Sequence, residues 1–191
     1  MIYDIHALQE RFYFHQNIIP SLHSGLPMLR KRIIVPQDQF NITAVVFPDD
    51  GAAKRFAHFF TSHGYETITC GKYRDGHKRC VTIQDGDPMG KNVLLIDDLI
   101  QTGGTLLEAA RVLKDRGARH VYAYVTHAIF PNESWKKFIY PSDMPTEDRL
   151  VSKFWTTNSV PATTEQFPTD NVFEVLDLLP QIVMDLDFKS H

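Results

Sequence analysis

A chain of 191 residues is long enough to bury the core of one domain, and its 43% apolar and 23% charged residues are those of an ordinary globular protein. A net charge of -3, with basic clusters only at Arg30-Lys31-Arg32 and Lys136-Lys137, argues against a nucleic-acid binder. Two cysteines, Cys70 and Cys80, make neither a disulfide framework nor a zinc set and read as free thiols. The opening residues carry no secretory signal and no apolar run approaches a membrane span of ~20 residues, so a cytoplasmic protein without a membrane partner is expected.

In chain order, Pro20 to about Ile34 reads as a helix and Ala44-Val45-Val46-Phe47 as a strand. A helix follows from Gly51 to His63, and Thr67 to Cys70 is the next strand. The stretch from Lys72 to Lys91 is polar, charged and glycine-bearing, and is expected to contain a long mobile loop. Val93 to Ile96 is apolar throughout, the pattern of a strand covered on both faces. From Leu106 onward, Leu106, Leu107, Ala110 and Leu113 mark one side of a helix, with Glu108, Arg111 and Lys114 largely on the other.

Val121 to Val125 is a further strand, and Tyr140 to Asp148 an exposed connection. Phe154 to Thr157 and Val172 to Val175 are short strands, and about Leu176 to Leu186 is a helix despite Pro180. Strands alternating with helices imply an α/β fold with a mostly parallel sheet. Ligands bind such sheets at the carboxyl ends of the strands. Four candidate loops fall there: Pro48 to Ala52, Lys72 to Arg79, Asp97 to Thr105 and Thr126 to Pro131.

The most specific string is strand-Asp97-Asp98-Leu99-Ile100-Gln101-Thr102-Gly103-Gly104-Thr105-helix. Its turn offers backbone N–H groups and a helix N-terminus to an anion, and its glycines permit close approach. The two carboxylates suit a sugar diol, directly or through Mg²⁺. Together they describe a site for a ribose 5-phosphate. A receiver-type signalling domain also uses an acidic pair, but has no need of Gln101 to Thr105.

These residues resemble the phosphoribosyl pyrophosphate motif of type I phosphoribosyltransferases and phosphoribosyl pyrophosphate synthetases. The opening Tyr3-Asp4-Ile5-His6-Ala7-Leu8-Gln9-Glu10-Arg11-Phe12-Tyr13-Phe14 resembles a central synthetase segment. Phe47-Pro48-Asp49-Asp50-Gly51-Ala52 and Thr126-His127-Ala128-Ile129-Phe130-Pro131 also match in order and spacing. Gln101 and the wording of the first segment are most similar to the plant-type (class II) synthetases.

The resemblance implies a type I phosphoribosyltransferase-like, Rossmann-like domain over residues 1–191 with a mobile loop. By the same resemblance residues 1–19 match the inter-domain junction of full-length synthetases, and the chain is expected to lack the domain that precedes it there. The implied reaction is Mg²⁺-dependent transfer of diphosphate from ATP to ribose 5-phosphate, giving phosphoribosyl pyrophosphate and AMP. Asp97 and Asp98 then engage the ribose hydroxyls, and Gln101, Thr102, Gly103, Gly104 and Thr105 the 5-phosphate.

Lys72 and Arg74 match a catalytic loop, with Lys78 and Arg79 on the same stretch. His6 and Asp49 are the implied metal residues, although Asp49 also reads as a helix cap. His127 is expected to be structural, and Trp135 and Trp155 to pack. Self-association, or association with a full-length synthetase, is implied. The alternatives are a transferase using phosphoribosyl pyrophosphate and a non-catalytic ribose-phosphate-binding subunit.

Overall fold

The computed structural model describes residues 1–35, 40–75 and 78–187, except the side chains of 74, 75, 78 and 79. In chain order these form β1 (Ile2–Tyr3), β2 (Leu22–His23), α1 (Leu26–Leu29) running into a π-helical turn at Arg30–Ile34, β3 (Ala44–Phe47) and α2 (Asp50–Thr61). Then come β4 (Glu66–Asp75), β5 (Lys78–Asp85), β6 (Asn92–Ile100), α3 (Gly104–Asp115), β7 (His120–Ala128), β8 (Lys153–Thr157), α4 (Pro161–Thr164), β9 (Phe173–Leu176) and α5 (Leu179–Asp187). One sheet has the order β5-β4-β3-β6-β7-β8-β9 and is parallel except for the β4–β5 pair. The expected α/β architecture with a mostly parallel sheet is thus observed.

Strand side chains alternate between the faces, so the apolar runs feed two cores. On one face Ala44, Val46, Val93, Leu95, Val121 and Ala123 meet Leu106, Ala109, Ala110 and Leu113 of α3. On the other, Val45, Phe47, Leu94, Ile96 and Tyr122 meet Ala52, Phe56 and Phe60 of α2. Each buried Val, Leu, Ile or Phe contributes roughly 1.5–3 kcal/mol. The two packed layers hold the carboxyl ends of β3 and β6 side by side. Trp155, fully buried, and Trp135 are packing residues, as expected.

Three boundaries differ from the sequence reading. The helix expected from Pro20 starts only at Leu26, because Leu22 and His23 pair in parallel with Ile2 and Tyr3. The loop expected within Lys72 to Lys91 is largely the antiparallel hairpin of β4 and β5, with Lys72 opposite Val81 and Arg74 opposite Arg79. Its inner apolar positions, Val81 and Ile83, pack on the α3-side core, and Glu108 of α3 accepts a hydrogen bond from the Val81 amide at 3.2 Å. The final helix starts at Leu179, since Leu176 is the last residue of β9. Cys70 faces Ile83 across the hairpin and Cys80 faces Tyr73, so both thiols are free. Among the described residues no helix is long and apolar enough to cross a membrane.

Candidate functional site

A cleft of about 300 Å³ opens where β3, β4 and β6 end. It is lined by His6, Asp49, Arg55, Lys72, the Asp97–Asp98 pair and the turn from Gln101 to Thr105. The structure therefore brings together nearly all of the residues singled out in sequence. The Arg74 side chain lies outside the described residues, as do those of Lys78 and Arg79.

The turn is shaped by Gly103, whose φ of +77° places it in the left-handed region just before α3. Its backbone lies against Phe138, which leaves no room for a side chain. The carbonyls of Gln101 and Thr102 are held from behind by Ser134 Oγ and Lys137 Nζ, both at 3.2 Å. The turn lines the cleft, and the α3 N-terminus adds its amides and dipole there. Such a cradle suits a phosphate.

Asp49 is the N-cap of α2: Oδ1 accepts from the Ala52 amide at 3.1 Å, while Oδ2 accepts from Lys72 Nζ at 2.6 Å. Burial pushes its carboxyl up, but the Lys72 ammonium and the α2 amides outweigh this and hold it below the usual range. Cap and cleft residue are the same group here. The Lys72 ion pair also ties the hairpin to the β3–α2 turn.

The two motif carboxylates have different surroundings. Asp98 is 2% exposed, and its Oδ2 accepts from His6 Nδ1 at 2.7 Å and from Arg55 Nη1. Hydrogen bonds with Asp97, His6 and Arg55 hold its carboxyl low in spite of burial. Among the described residues no cation is paired with Asp97; its Oδ1 accepts from the Asp98 amide at 2.9 Å. Burial first, and then the Asp98 charge, push its carboxyl up toward neutrality.

The sign of the linkage follows. Over the interval between Asp97's ordinary and raised values the native state binds more protons than the unfolded chain. The Asp97 contribution to stability is therefore full at acid pH and lost as pH rises through that interval. Asp98 acts oppositely, losing its contribution as pH falls. We predict that the Asp97→Asn variant gains stability relative to the native chain as pH rises from 5 to 8, by up to ~1.4 kcal/mol per pH unit. Parallel urea-midpoint profiles for the two proteins would overturn this.

His6 reaches the cleft because the segment before it is anchored. Asp4, buried at φ +42°, accepts from the Gly25 amide at 2.8 Å and from Thr126 Oγ1 at 2.6 Å. His127 Nε2 lies 2.8 Å from the Tyr3 carbonyl, and its Nδ1 lies 2.9 Å from Ser159 Oγ. The structural role expected for His127 is the one it has. With Nδ1 committed to Asp98, a neutral His6 leaves its Nε2 lone pair available.

Arg55 was not legible in sequence. It stands on α2, joins Asp98, and also donates to the His6 carbonyl. Among the described residues no three of His, Cys, Asp and Glu form a metal-binding cluster. That is compatible with Mg²⁺, which uses one or two carboxylates and takes its other oxygens from substrate and water.

Residues 68–178 match the phosphoribosyl synthetase-associated domain family. Over 186 residues the chain is 45% identical to ribose-phosphate pyrophosphokinase 3, chloroplastic, of Oryza sativa subsp. japonica, covering 97% of this chain and 44% of that one. It is also 45% identical over 183 residues to ribose-phosphate pyrophosphokinase 4 of Arabidopsis thaliana, covering 95% and 52%. In three dimensions it is similar to the phosphoribosylpyrophosphate synthetase of Mycobacterium smegmatis, with a TM-score of 0.73 and 22% identity over 99% of this chain and 58% of that one. The chain thus spans about half the length of the curated relatives it matches.

Proposed function

We propose, from the premise that the chain belongs to the phosphoribosyl synthetase-associated domain family, that its cleft binds ribose 5-phosphate and carries out the diphosphoryl transfer of a ribose-phosphate pyrophosphokinase. The observation that carries this reading is the meeting of the Asp97–Asp98 pair, the Gly103 cradle and Lys72 in one cleft. The substrates are then ribose 5-phosphate and ATP, and the products phosphoribosyl pyrophosphate and AMP. Assembly with a second copy or with a full-length synthetase belongs to the same proposal.

The roles follow from the chemistry of each group. Amides of the Gln101–Thr105 turn and the α3 N-terminus hold the 5-phosphate. Asp97, with no cationic partner among the described residues, receives the ribose hydroxyls, and Asp98 keeps it and His6 in place. Mg²⁺, when bound, would be held by Asp49, His6 and substrate oxygens, and would neutralise the triphosphate. The anomeric hydroxyl attacks the β-phosphorus as AMP leaves, so the protein's work is alignment and charge stabilisation. Lys72, on the β4 arm, supplies a cation for the transferring group, and Arg74 is assigned to the same arm.

Two measurements test this. AMP formation from ATP and ribose 5-phosphate with Mg²⁺ should be detectable and abolished by Asp97→Asn. Ribose 5-phosphate binding without AMP would overturn the catalytic reading while leaving the binding site. Lys72→Ala should lower turnover roughly hundredfold and ribose 5-phosphate affinity only severalfold, since its charge is wanted most in the transition state. Equal losses would remove Lys72 from the transition state.

A further inference from the structure

We propose that Arg55 is a positioning residue that couples the segment Asp4–Leu8 to the Asp97–Asp98 pair, so that ligand at that pair fixes His6. This rests on the binding reading above. The guanidinium makes two contacts on different parts of the chain: Nη1 to the Asp98 carboxylate of β6 and Nη2 to the main-chain carbonyl of His6. The His6 ring closes the figure by reaching the same Asp98 oxygen at 2.7 Å. A planar, two-pronged cation holds both partners at once, which a lysine ammonium on a flexible stem does not do.

The segment has little else to fix it after Tyr3 and Asp4. The 3-10 turn Leu8–Tyr13 buries none of its residues, with Leu8 59% and Phe12 73% exposed. Ile5 and Leu8 sit over a second cavity of about 260 Å³, which Arg55 also lines, rather than in a packed core. Arg55 thus lines both cavities, and its two contacts join the His6–Asp98 hydrogen bond in linking the carboxylate pair to the segment. Coupling through a shared element is reciprocal: whatever orders Asp98 orders His6, and the converse.

The test uses the full chain with Mg²⁺ and ribose 5-phosphate, and compares the native protein with Arg55→Lys and His6→Ala. Amide exchange of the peptide from Asp4 to Phe14 should slow about tenfold on adding ribose 5-phosphate to the native protein, the change set by ~1.4 kcal/mol of coupling. In Arg55→Lys, which keeps a cation beside Asp98 and should keep the melting temperature, that slowing should fall by at least half, the His6–Asp98 hydrogen bond alone remaining. His6→Ala should weaken ribose 5-phosphate binding severalfold in the native background and clearly less in Arg55→Lys.

Ligand-induced slowing that keeps more than half its size in Arg55→Lys would overturn the coupling. So would additive losses in the double variant. If the native protein binds no ribose 5-phosphate, the binding reading fails instead. The coupling is then judged on the unliganded peptide, whose exchange should be about tenfold faster in Arg55→Lys, and equal rates would reject it.

Discussion

Asp98→Ala should destabilise the protein by about 3 kcal/mol, while Asp97→Ala, one residue away, should cost less than 1 kcal/mol. Asp98 is buried and receives Arg55 and His6. Its removal leaves the Arg55 side chain, 28% exposed, without its carboxylate partner, and releases the segment that His6 and Arg55 fix. Breaking a buried pair from one side costs 3–5 kcal/mol, and the partial solvation of Arg55 puts this case at about the lower figure. Asp97 is in the opposite position, because its charge is disfavoured in the fold. Thermal unfolding reads the difference: a loss of roughly 6–12 °C for Asp98→Ala and little change for Asp97→Ala. Equal losses would mean that the two carboxylates share one environment. Ribose 5-phosphate binding inverts the ranking of specificity: Asp97→Asn should abolish it without touching the fold, whereas Asp98→Ala loses affinity and stability together.

That asymmetry was not legible in sequence, where two adjacent aspartates look alike. It arises because alternate strand residues face opposite ways, and only Asp98 points toward α2 and the N-terminal segment. Arg55 escaped for a related reason. A lone arginine in the middle of an amphipathic helix has no spacing that separates it from a solvated one. By contrast the apolar run Val93–Ile96 and the glycine turn are local signals, and β6 and α3 lie where they point. Asp49 carried two readings, cap and cleft residue, and the fold uses its two oxygens separately.

The misplaced loop has its own lesson. Lys72 to Asp85 is polar because most of the β4–β5 hairpin extends past the sheet, pairing with β3 only as far as Thr69. A ribbon with only one narrow face on the core has the composition of a loop, and Val81 and Ile83 betray that face. The start of the chain is similar. Two-residue strands at Ile2–Tyr3 and Leu22–His23 are created by their mutual pairing and by the His127 and Thr126 anchors. No local pattern announces a contact across more than a hundred residues. Tertiary placement, rather than propensity, decides both cases.

Gly103→Ala should abolish ribose 5-phosphate binding and cost about 3 kcal/mol of stability, and Gly104→Ala should separate these effects. An alanine at 103 must hold φ near +77°, a strain of roughly 1–2 kcal/mol for a residue with Cβ. Its Cβ would also fall 2.6 Å from Cε2 and 2.8 Å from Cζ of Phe138. Phe138 cannot yield cheaply, being fully buried and packed on Phe130, Phe154 and Phe173. The turn must therefore move, and the part of the cleft that it lines moves with it. At Gly104 the φ is ordinary and an added Cβ meets only Thr102 Oγ1, at 3.9 Å. Alanine there opens α3 with a better helix former, so the melting temperature should hold or rise slightly. If the phosphate lies against the turn, that same Cβ crowds it, and affinity should fall at least tenfold with the fold intact. Gly104→Ala binding ribose 5-phosphate as tightly as the native protein would place the phosphate away from the turn, and the carboxylate pair would then have to be read without it.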